Sequence, residues 1–86
     1  MILIDKFLRY ITSEKRYSQH TITAYRKDLQ QFLDFLTSEY NFSDPEKANY
    51  YQVREWIVSL IENKNKTSSV NRKISTLKTF FRFLLI

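Results

Sequence analysis

TSSVNRKISTLKTFFRFLLI, residues 67 to 86, is the stretch from which the rest of the chain is read. At 100° per residue Val70, Ile74, Leu77, Phe81 and Leu84 fall in one stripe, with Phe80 and Leu85 on its shoulders, which predicts an amphipathic helix over 67–86. The other side carries Ser69, Arg72, Ser75, Thr76, Thr79 and Arg82, with Lys73 and Lys78 at the borders of the stripe. No acid interrupts it. From Asn63 to Ile86 there are six Lys and Arg and no Asp or Glu, whereas residues 1 to 62 hold eight basic and nine acidic side chains. The net charge of +5 therefore arises in this segment.

The remaining sequence resolves into three more helices of the same kind. Over 2–15, Leu3, Phe7, Tyr10 and Ile11 share a side with Ile4 and Leu8, while Asp5, Lys6, Arg9 and Glu14 lie outside it. Ser18 reads as the N-cap of a long helix over 18–39, with Tyr17 and Ile22 as a hydrophobic staple. Its buried stripe is Ile22, Tyr25, Leu29, Phe32, Leu33 and Leu36, and Lys27, Gln30, Gln31 and Asp34 face away. Lys15, Arg16, Arg26 and Lys27 bracket His20 with no acid between Glu14 and Asp28, beside the unsatisfied amides of a helix start.

The connection NFSDPEKAN, 41–49, holds an Asp44-Pro45 turn or single helical turn, with Phe42 tucked beneath it. Asn49 and Gln52 have capping-box spacing for a third helix over 50–63, whose stripe is Val53, Trp56, Ile57, Leu60 and Ile61. Asn63 or Asn65 is expected to take the left-handed conformation at its end, and Thr67 or Ser68 to cap the fourth helix.

Composition agrees with helices. A 43% hydrophobic content with seven Phe and six Tyr suffices for a core, and the absence of glycine, the usual residue of the tight turns a small β domain needs, points to helices joined by Asn- and Ser-bearing loops. Eighty-six residues bury only about 60–65% of their unfolded surface, so every apolar stripe needs a partner. The reading is an all-α compact four-helix bundle forming one domain over 1–86. With no cysteine, no signal-peptide pattern and no apolar run near 18 residues, a cytoplasmic chain without a membrane partner is expected. There is one histidine, no metal-ligand cluster, no glycine-rich phosphate loop and no Ser/His/Asp set, so neither catalysis, cofactor nor metal is expected. Two cationic helices side by side would suit the major groove of duplex DNA.

Two segments carry a family resemblance. SQHTITAYRKDLQQFLDFL (18–36) and TSSVNRKISTLKTFFRFL (67–84) resemble, in order, the motifs of the N-terminal core-binding, SAM-like domain of Xer-like tyrosine recombinases, the phage-integrase family. The resemblance implies a DNA-binding half-clamp opposite a separate C-terminal catalytic domain, acting beside other recombinase protomers. By position it implies DNA-facing roles for Thr21, Tyr25 and Arg26, and for Ser69, Arg72, Lys73 and Ser75. Ser18 at the helix start, Lys64 and Lys66 in the last loop, and Thr76 complete the candidate DNA-binding set.

Each has a plainer rival. Tyr25, at the border of the stripe, reads first as core with its hydroxyl at the edge and only second as a DNA contact; Lys73 and Lys78 read also as cations lying along the apolar stripe, and Ser69, Ser75 and Thr76 as local backbone partners. The alternative function is a helical protein-interaction module using the apolar run FFRFLLI, which also reads as a boundary within a longer protein. Phe83, on the polar side of the expected stripe, is assigned to a linker, the catalytic domain or a neighbouring protomer.

Overall fold

The computed structural model describes residues 2–42 and 44–86; Met1, and Ser43 within the expected connection, lie outside the described residues. Four helices follow in order: α1 (Ile2–Ser13), α2 (Gln19–Tyr40), α3 (Tyr50–Glu62) and α4 (Thr67–Phe83), with one 3₁₀ turn at Pro45–Lys47. The all-α architecture is as the periodicity requires. The shortest molecular dimension, 18 Å, is about two helix diameters, so the bundle has two layers.

Helix α2 is the central strut, touching α1, α3, α4 and the 3₁₀ turn. Phe7 and Ile11 of α1, Leu29, Phe32 and Leu36 of α2, and Phe80 of α4 are wholly buried between them. Phe7 meets Phe80 edge-on at 5.3 Å between ring centroids, and Phe32 leans on Trp56 of α3 at 5.1 Å. Among the described residues no helix is long and apolar enough to cross a membrane.

The helix ends follow local chemistry. Ser18 caps α2 by accepting the Thr21 amide at 3.2 Å, and Asn49 and Gln52 form the expected capping box at 2.9 and 3.0 Å. Two expectations fail here. Lys64, not Asn63 or Asn65, takes positive φ (62°): the Asn65 amide donates to Leu60 O and the Lys64 amide to Ile61 O, a Schellman motif with lysine at the glycine position. Asn65 is instead the residue after it, and its side-chain amide donates to the same Leu60 carbonyl at 3.0 Å. The N-cap of α4 is Lys66, with no side-chain bond, in place of Thr67 or Ser68.

Helix α4 is also turned about its axis. Its buried residues are Val70, Lys73, Thr76, Leu77 and Phe80, while Ile74 and Phe81 are only half-buried. The inward face is therefore rotated by roughly 55° from the stripe of apolar letters. Phe83 lies on that true face: it packs on Phe7 at 5.5 Å and Tyr10 at 5.2 Å. The placement of Phe83 on the polar side of α4 is corrected, because α1 packs against it and leaves it half-buried. Ile61, expected in the α3 stripe, is 60% exposed.

Candidate nucleic-acid interface

The rotation of α4 has a polar cause. Asp28, in the Tyr25–Phe32 stripe of α2, is completely buried and takes four bonds from α4. Arg72 clamps it with two parallel bonds, Nε to Oδ2 at 3.1 Å and Nη2 to Oδ1 at 2.7 Å. Lys73 Nζ donates to Oδ1 at 3.0 Å and Thr76 Oγ1 to Oδ2 at 2.7 Å. Lys73 also donates to Gln31 Oε1. Burial alone would push the Asp28 pKa up, but the bonds from Arg72, Thr76 and Lys73 outweigh it, and the carboxyl sits below its usual range. The same pairing raises the Arg72 pKa further.

This cluster corrects two candidate DNA contacts. Lys73, 4% exposed, and Thr76, fully buried, spend their polar atoms on Asp28 and offer no surface to a ligand. Tyr25 follows its core reading and not the DNA-facing role that the resemblance implied: it is buried and packs edge-on against Tyr17 at 5.7 Å. Burial pushes its phenol above the ordinary pKa, the charge of Tyr17 adding to this while Thr79 and Arg72 oppose it.

Arg72 differs from its neighbours because its side chain is 43% exposed. It borders a shallow depression of about 520 Å³ lined with the first half of α2: His20, Thr23, Ala24, Lys27 and Gln31. The start of α2 and Arg72 of α4 thus share one wall. Ser75 is exposed on α4, and Ser69 is half-buried at its start. Ser18 and Thr21 hold each other through their hydroxyls at 3.0 Å in the cap of α2. Arg26 is exposed, but two residues from Asp28 means about 160° around α2, on the flank away from the α4 contact. Lys64 and Lys66 are exposed in the α3–α4 turn.

The sequence reading gave Asp28, Gln31 and Thr23 no part in the site, and it named His20 and Lys27 in the basic cluster of the α2 start without adding them to the candidate set. A signal for the first existed: an acid three residues after Tyr25 and four before Phe32 sits at the edge of a buried stripe. Among the described residues, the ion pairs are Lys47 with Asp44, and Arg72 and Lys73 with Asp28, so Lys15, Arg16, Arg26, Lys27, Lys64, Lys66, Lys78 and Arg82 carry uncompensated charge. No three His, Cys, Asp or Glu side chains among them gather as metal ligands.

A second concavity, about 640 Å³, opens between α3 and α4. Val53, Ile57, Ile74, Leu77 and Phe81 form its apolar floor, with Lys78 and Arg82 on the rim.

A family model described as phage integrase, N-terminal SAM-like domain, matches residues 4–85. Over 83 residues the chain is 45% identical to a protein named tyrosine recombinase XerC from Oceanobacillus iheyensis, covering 96% of this chain and 27% of that protein. Proteins of the same name from Listeria innocua and Chlorobaculum tepidum are 39% and 37% identical, covering 96% and 95% of this chain and 27% and 26% of theirs. The chain thus spans about a quarter of the length of these relatives. No solved structure matches it.

Proposed function

The chain belongs to the phage-integrase N-terminal SAM-like domain family, and from that premise we propose that it holds duplex DNA for a site-specific tyrosine recombinase. The observation that carries the reading is the wall shared by His20 and Lys27 of α2 with Arg72 of α4, where a duplex would meet side chains from both helices. Lys64 and Lys66 of the α3–α4 turn, and Lys78 and Arg82 on the rim of the other concavity, have no ion-pair partners among the described residues and add a general attraction for phosphate. Strand breakage and rejoining belong, on this reading, to a catalytic domain of the same protein, with further protomers gathered on the DNA in the cytoplasm.

A titration of short duplexes at several salt concentrations tests this. With about four to six phosphates neutralised, binding is weak and log K falls with log salt at a slope near −4 to −5. A flat dependence, or no binding at low salt, would sink the proposal.

The apolar groove between α3 and α4 favours a second role as a contact surface for protein. Self-association in sedimentation runs, unaffected by DNA, would be its mark.

A further inference from the structure

Arginine has five N–H donors in a rigid plane, and Asp28 takes two of them, from Nε and Nη2. The outer edge, Nη1 with the second Nη2 hydrogen, carries no hydrogen bond to the described residues. The side chain that carries it is 43% exposed and lines the depression. We propose that Asp28 is a positioning residue that fixes this outer edge of Arg72 to read a guanine in the DNA major groove, an inference that rests on the DNA-holding function proposed above.

Two physical points favour a base over a phosphate. The Asp28 carboxylate, 2.7 Å from Nη2, cancels much of the attraction that Arg72 would exert on an anion at longer range. The short-range directional bonds of two parallel N–H groups survive, and guanine O6 and N7 are the neutral acceptor pair that matches them. A freely swinging arginine would have to give up rotamer entropy to make that fit; one already clamped has given it up on folding. Thr76 and Lys73 hold the carboxylate from its other directions, so the clamp does not depend on the ligand.

The test is selection of preferred duplexes from a randomised pool by the 86-residue chain, with R72K and D28N run in parallel. The wild-type chain should require guanine at one position, by roughly 5- to 150-fold over other bases. R72K should lose that preference while its salt slope changes by less than about one. D28N, which keeps the shape but weakens the clamp, should reduce the preference at the same position. Replacing that guanine by 7-deazaguanine removes the N7 acceptor with the protein untouched, and should cost the wild-type chain about tenfold. A preference unchanged in R72K, or a loss spread evenly over all duplexes with a shallower salt slope, would overturn the guanine assignment and leave DNA holding intact. Failure of the wild-type chain to bind any duplex would overturn both.

Discussion

At the residue scale the fold turns on one carboxylate. Asp28 lies within the apolar side of α2 and is tolerated there because Arg72, Lys73 and Thr76 converge on it. Asp28→Ala leaves Lys73 buried without its counter-charge, and chemical denaturation should show a loss of about 3–5 kcal/mol. The pH dependence has a definite sign. Because the folded-state pKa is depressed, the carboxylate stabilises the native chain above the unfolded value of about 4, and this is lost as pH falls through the folded value. Urea melts at pH 6, 4 and 3 should therefore show wild-type stability falling in acid, with a shallower fall in Asp28→Asn. Parallel curves for the two proteins would show that other carboxylates govern acid unfolding.

At the element scale, the helices were legible in the sequence and their facing was only partly so. Ser18 and the Asn49–Gln52 box act within three residues of themselves, so spacing alone reveals them. Ser18→Ala should cost about 1 kcal/mol in the same melts. The α4 stripe depends on what α2 presents to it. Letters alone favour Ile74 and Phe81 over Lys73 and Thr76; the buried acid across the interface reverses that preference and carries Phe83 inward as well. Phe83→Ala should accordingly destabilise by about 1–2 kcal/mol through lost packing on Phe7 and Tyr10, where a side chain reserved for another domain would cost nothing. Lys64 was equally hidden, since the Schellman motif selects a position in the turn and the sequence supplies no glycine to mark it. Lys64→Gly relieves the left-handed strain and should stabilise by about 0.5–1 kcal/mol after the larger unfolded-state entropy is counted.

At the scale of the whole molecule, the question is which cations one rigid duplex meets together. Charge along the sequence treats Arg26 and Lys27 alike, because both follow the start of α2. The bundle separates them by a third of a turn. Lys27 lines the same depression as Arg72, while Arg26 lies around α2 from the Asp28 contact that seats α4. The family resemblance implied Arg26 in the DNA-facing set, and the packing points to its neighbour instead. A single phosphate contact removed at about 0.1 M salt corresponds to roughly a 5- to 10-fold loss of affinity, since each contributes close to 0.9 to the salt slope. Lys27→Ala should therefore weaken duplex binding by that factor and lower the slope by about one, whereas Arg26→Ala should change it less than twofold. Both residues are exposed and without ion-pair partners among the described residues, so neither replacement should move the unfolding midpoint, and the comparison isolates placement from stability. Equal losses for the two would mean that the duplex wraps the start of α2 from both flanks. A loss for Arg26→Ala alone would move the DNA to the side of α2 remote from α4, and the wall shared by the two helices would have no part in holding it.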